Sequence, residues 1–179
     1  QRAGSYLNVH EAKLTMRLLQ RLARPDTINR LKSGANGALH PIGVITMYRG
    51  QKTLLEKELS KAEWAASIRS LIRIDTVDSY QGQENPFIIL SLVRDNISKK
   101  QGFMVDPSRI NVSLSRAQER LVVVGAARMW QSRNRADPLG KVLSFIEERC
   151  ASGDNNYTIA RDLPEFVFNQ EHAGVAENA

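Results

Sequence analysis

The stretch Thr76 to Arg94, TVDSYQGQENPFIILSLVR, joins a polar Gln-Gly-Gln-Glu turn directly to a short apolar run. That junction decides the fold. Phe87 to Val93 is almost wholly apolar, which suits a strand covered on both faces in a parallel sheet; an antiparallel strand with one wet face would alternate apolar and polar residues. Polar groups carried on the end of such a buried strand are rigidly presented, as a binding site requires.

Helix and strand patterns alternate on both sides of this segment. Upstream, Ser5 to Leu7 reads as a short strand, and Asn8 as a helix N-cap with Glu11 at the third helical position. Ala12, Met16 and Leu19 continue at helical spacing, predicting a helix to about Leu22. The breakers Pro25, Asp26, Gly34, Asn36, Gly37 and Pro41 predict a loop, and IGVIT at Ile42 to Thr46 a buried strand. After the polar turn Tyr48 to Gln51, the residues Leu55, Leu59 and Ala62 mark a second helix, and Leu71 to Val77 another strand with Arg73 and Asp75 on one face. Downstream, Asp106 caps a helix with Pro107 in its first turn, expected to reach about Gln118 and to bury Ile110, Leu114 and Ala117. A strand at Leu121 to Val124 and a helix at Pro138 to Arg149 follow. The alternation predicts an α/β domain with a mainly parallel sheet over residues 1–150, and a C-terminal extension over 151–179 whose end is expected to be loose.

Composition sets outer limits. A chain of 179 residues with 42% hydrophobic content can bury one substantial core. The net charge of +6 and pI near 9.7 favour an anionic partner without naming it. The single cysteine, Cys150, excludes an internal disulfide framework and leaves no cluster for a Cys-based zinc site, so an intracellular compartment, nuclear or cytoplasmic, is the simplest reading. No apolar run approaches the roughly 20 residues that span a bilayer, and no membrane partner is expected. The histidines His10, His40 and His172 have no metal-ligand spacing, and no residue is assigned to a metal. No Ser-His-Asp or Cys-His set stands out, which argues against hydrolysis through a protein nucleophile.

Polar residues gather where open α/β sheets place ligands, at strand ends and helix starts. Thr46 to Gln51 sets Tyr48 beside Arg49, an aromatic next to a cation, which suits a stacked base and its phosphate; taken alone it also fits an ordinary strand-to-helix turn. In Asp78 to Glu84, Gly82 lets the backbone approach a ligand while Gln81, Gln83 and Glu84 offer donors and acceptors for a phosphate or a ribose; the alternative is a capped turn. Arg109 and Arg116 are seven residues apart, which on one continuous helix puts two guanidinium groups on a common face suited to phosphate oxygens or to structural ion pairs. The basic loop Arg94 to Lys100 reads as solvated surface.

Taken in order, these segments resemble the second RecA-like domain of superfamily 1 helicases, in the up-frameshift and senataxin-like branch. SYLNVHEA at Ser5 to Ala12 is similar to the family's opening block and IGVITMYRGQ at Ile42 to Gln51 to its motif IV. TVDSYQGQENPFIILSLVR resembles motif V, and GFMVDPSRINVSLSRAQERLVVVG, Gly102 to Gly125, resembles motif VI. The resemblance implies a three-layer fold of the P-loop NTPase type. It places Arg116 where the family has an arginine finger, Gly82 and Glu84 beside the nucleotide, and Gln51 and Arg109 near the same cleft. Thr46, Tyr48, Arg49, Asp78 and Ser79 then fall on segments that face a single strand of RNA or DNA. Met47, Ser108 and Gln118 depart from the family's usual proline and arginines.

No G-x-x-x-x-G-K-[ST] occurs, so the chain lacks a Walker A loop of its own. The resemblance therefore implies ATP with Mg²⁺ bound jointly with a preceding RecA-like domain, the isolated chain being inactive. The competing expectation is a non-catalytic nucleic-acid- or protein-binding module that retains the fold.

Overall fold

The computed structural model describes residues 5–34, 39–80, 82–130 and 137–160. Four strands, β1 (Ile42–Thr46), β2 (Ile72–Thr76), β3 (Asn85–Ser91) and β4 (Ala117–Val124), form one parallel sheet in the order β2-β1-β3-β4. Successive side chains on a strand point to opposite faces, so an unbroken apolar run must be covered twice. Ile42, Val44, Phe87, Ile89, Val122 and Val124 bury one face beneath helices α1 (Val9–Leu22), α2 (Pro25–Gly34) and α3 (Arg49–Lys61). Ile45, Ile88 and Leu90 bury the other against Ile110 of α4 (Pro107–Leu114), Leu139 of α5 (Pro138–Ala151), and the short turns carrying Met104 and Met129. Helices on both faces of a parallel sheet make the three layers of a RecA-like domain.

The connection from β2 to β3 passes over β1 in only eight residues, Val77 to Glu84, with one 3-10 turn at Asp78–Tyr80. A parallel crossover ordinarily takes a dozen residues or more. Here Tyr80 is fully buried, and its hydroxyl donates to Asn85 Oδ1 at 2.6 Å. Glycine at position 43 makes the room, because a Cβ there would stand 2.2 Å from the Tyr80 hydroxyl and 2.4 Å from Ile88 Cδ1. Burial pushes the Tyr80 phenol up to about 12, opposed by the Arg73 guanidinium 5.4 Å from its ring centroid, so it stays a donor at any ordinary pH.

Four local expectations are corrected. Ser5 to Leu7 is not a strand; it runs beside the start of α3, where the Ser5 hydroxyl accepts from the Gly50 N–H. The expected loop after Leu22 contains α2, which begins at Pro25 with Arg24 accepting its first bond from Ile28 and packs Ile28 into the core; proline suits a first helical position, and the breaker reading misjudged it. Helix α4 stops at Leu114 and not near Gln118, because the next residues are claimed by the sheet: Asn85 N–H donates to the Arg116 carbonyl at 3.0 Å and Ala117 pairs with Asn85. β4 consequently starts at Ala117, four residues ahead of the expected Leu121. The C-terminal extension is described only to residue 160, where Tyr157 packs edge-on to Phe145 of α5; its expected loose end lies outside the described residues, as do Gln81 and His172.

Candidate functional site

The early end of α4 separates two arginines that a longer helix would have aligned. Arg109 sits in the first turn of α4 and Arg116 beyond its last, at the two ends of a helix about 12 Å long. They serve opposite edges of the sheet.

At the amino edge, Arg116 precedes β4 and Glu84 precedes β3, and the Asn85 to Arg116 backbone bond locks the two loops together. The Arg116 guanidinium bonds only neutral oxygens, with Nε on the Val112 carbonyl at 3.0 Å, Nη1 on the Gln83 carbonyl at 3.4 Å and Nη2 on Ser115 Oγ at 2.8 Å. The Val112 bond satisfies a carbonyl left open by the helix end. No carboxylate among the described residues pairs with this half-buried cation, so its geometry is fixed while its charge remains uncompensated. Glu84 is exposed and makes no hydrogen bond or ion pair among the described residues. Gln83 between them is held from the other side, its Oε1 accepting from Arg73. Gly82 has φ of +80° and open space around its Cα, so the turn demands glycine for its backbone and not for room. Arg73 and Lys52 both reach Asp75, at 3.3 and 2.9 Å; burial opposes ionisation of that carboxyl, but the Lys52 bond and its partners hold it below the usual range.

At the carboxyl edge stand Thr46, Tyr48, Arg49, Asp78 and Ser79, joined by Arg109. Asp78 and Arg109 form an ion pair, Nε to Oδ1 at 3.3 Å, so residues read as serving different ligands contact each other directly. Ser79 is exposed and accepts from Thr76 Oγ1 at 3.1 Å. Arg49 is exposed at the start of α3, whereas Thr46 is fully buried with its hydroxyl unpartnered. Tyr48 is only 3% exposed, which raises its phenol pKa, and its ring is enclosed by Tyr6 at 5.2 Å and Phe103 at 5.6 Å between centroids. The ring expected to stack a base is therefore interior, and the exposed rings are its two neighbours, which the sequence reading passed over. Their signal was the position of Tyr6 just before the helix cap and of Phe103 after Gly102, both beside predicted site segments.

Gln51, expected near the nucleotide, is fully buried, and every polar atom is used internally. Its Oε1 accepts from Asn8 N–H at 2.8 Å and its Nε2 donates to the Asn8 carbonyl and to Ser91 Oγ, both at 3.2 Å. Ser91 in turn donates to Glu11 Oε2 at 2.9 Å, and the same oxygen accepts from Val93 N–H at 2.8 Å. Val93 has φ of +71°, costly for a β-branched residue, and Asn8 Nδ2 binds its carbonyl at 3.2 Å. Cap residues of α1 thus hold a strained bend where β3 ends. Burial lifts the Glu11 carboxyl to about 7 despite its hydrogen bonds from Val93 and Ser91.

A four-stranded parallel sheet covered on both faces by helices defines an α/β domain of the RecA-like class. The chain belongs to the AAA domain family, whose model matches residues 1–128. It is similar to the putative regulator of nonsense transcripts 1 of Takifugu rubripes, 38% identical over 125 residues covering 68% of this chain and 10% of that protein. The human probable helicase senataxin is 33% identical over 127 residues, 69% of this chain and 4% of that protein. The mouse 5'-3' DNA helicase ZGRF1 is 32% identical over 149 residues, 83% of this chain and 7% of that protein. The chain spans a tenth or less of the length of these relatives. Among the described residues no helix is long and apolar enough to cross a membrane.

Proposed function

We propose that this chain is the C-terminal motor domain of an ATP-dependent RNA or DNA helicase. It supplies an arginine finger to a cleft shared with a preceding RecA-like domain of the same polypeptide, which holds ATP and Mg²⁺. Arg116 carries the reading, since a guanidinium fixed by neutral oxygens keeps its full charge for an incoming anion. Placed against the γ-phosphate it would meet the charge that builds on the transferred phosphoryl group. Glu84 and the Gly82 backbone stand beside it, suited to the ribose and phosphate side of the nucleotide. The carboxyl edge faces the single strand.

The test is strand-stimulated ATP turnover by the full-length protein. Arg116→Ala is expected to lower it by about 10³-fold or more, the range for an arginine finger, with melting temperature and strand affinity retained. A loss below about tenfold would remove Arg116 from the reaction.

A further inference from the structure

Three rings and two guanidinium groups form one continuous cluster at the carboxyl edge. Arg94 lies over the Tyr6 ring at 4.3 Å, Tyr6 meets buried Tyr48 edge-on, Tyr48 meets Phe103, and Arg109 lies over Phe103 at 4.7 Å. Tyr6 and Phe103 are 55% and 51% exposed, large areas for aromatic side chains on a well-covered domain. Buried Tyr48 fixes both from below. Its hydroxyl is unpartnered; the Phe103 backbone is close enough to favour ionisation of the phenol, yet makes no hydrogen bond of good geometry with it. The Arg94 plane is set by two bonds to the Lys100 carbonyl, from Nε at 2.9 Å and Nη2 at 2.6 Å, and no carboxylate pairs with it among the described residues. The nearby acids are already engaged, Asp78 by Arg109 and Asp95 by Arg128 at 2.6 Å.

We infer that Tyr6 and Phe103, with the guanidinium planes of Arg94 and Arg109, are the platform on which bases of a single-stranded nucleic acid stack. The inference rests on the proposed helicase reading and assigns that strand residues outside the segments first read as its path. Exposed rings held rigid beside guanidinium groups offer flat faces and positive charge together, which single-strand binders use without regard to sequence. A protein partner would have to bring an apolar surface and a separate carboxylate to the same place, whereas a strand supplies base and phosphate with every nucleotide.

The experiment measures fluorescence anisotropy of the full-length protein with a labelled oligouridylate or oligothymidylate, against the same backbone carrying abasic sites. Tyr6→Ala and Phe103→Ala are each expected to weaken binding to the base-bearing strand by about 5- to 100-fold, while affinity for the abasic strand and the salt dependence stay unchanged. Tyr6→Phe, which keeps the ring, is expected to restore binding. The platform is overturned if both alanine variants bind like wild type, if base-bearing and abasic strands lose affinity equally, or if the losses track a lowered melting temperature that ring-retaining Tyr6→Phe shares. Wild-type protein that binds neither strand overturns the helicase reading itself, and normal turnover in Arg116→Ala overturns the finger while leaving the platform intact.

Discussion

Two glycines show how different physical demands fix the same residue. At position 43 the constraint is volume: an added Cβ would overlap the Tyr80 hydroxyl at 2.2 Å, and that ring cannot retreat because it is fully buried and bonded to Asn85. Gly43→Ala is expected to destabilise the domain by about 1–3 kcal/mol or more, the scale of overpacking a closed core, as read by urea unfolding. At position 82 nothing lies within 4 Å of the added carbon, yet φ is +80°. Gly82→Ala should cost about 1–2 kcal/mol through the backbone alone. Equal losses for a Gly82→Asn variant, which tolerates that conformation better, would contradict the backbone explanation.

At the scale of elements, α1 and β3 are joined through Glu11. Its carboxyl lies at about 7 in the fold against an ordinary 4.5, so between those values the native state holds a proton that the unfolded chain has released. Stability from this group is fully present below pH 4.5 and is lost as pH rises through 7. Melting temperature is expected to fall between pH 5 and pH 8.5, and in Glu11→Gln, neutral throughout, to fall less. Asp75, whose carboxyl is held low, acts in the opposite sense only in more acidic solution. An unchanged slope in Glu11→Gln would locate the titration elsewhere. Strands β1, β2 and β3, helix α3 and both N-caps were legible because local chemistry and burial agree there: Asn8 does accept from the N–H groups of His10 and Glu11, and Asp106 from Ser108. Where they conflict, local reading failed. The helical pattern runs past Leu114 in the sequence, but pairing with Asn85 is a distant contact that overrides it. The same limit hid part of the site. Arg116 and Glu84 are named as candidates through resemblance alone, while the placing of Gln51 within a buried network and of Tyr6 and Phe103 around Tyr48 depends on residues more than 40 positions apart.

Across the whole molecule, the proposed function gives the two edges of the sheet different ligands, the nucleotide at the amino edge and the strand at the carboxyl edge. Under the proposed reading the isolated chain supplies Arg116 but has no Walker A sequence to hold phosphates, so we expect it to show no ATP turnover even with a strand present; turnover by this domain alone would require a second nucleotide site. The segment from Val77 to Glu84 joins Asp78 at the carboxyl edge to Glu84 at the amino edge without a helix. It must descend the length of five-residue β1, about 17 Å, and cross two strand spacings, about 10 Å. Eight residues with a 3-10 turn among them leave little length to spare, and Tyr80 pins the middle. From the length alone we expect the segment to act as a pushrod and not as a leash, passing a displacement imposed at Glu84 on toward Asp78. Two glycines inserted after Gly82, beside the proposed nucleotide site, are therefore expected to lower basal hydrolysis and to lower its stimulation by a strand further still, with strand affinity retained; stimulation that falls only in proportion to basal turnover would show that the coupling travels by another route.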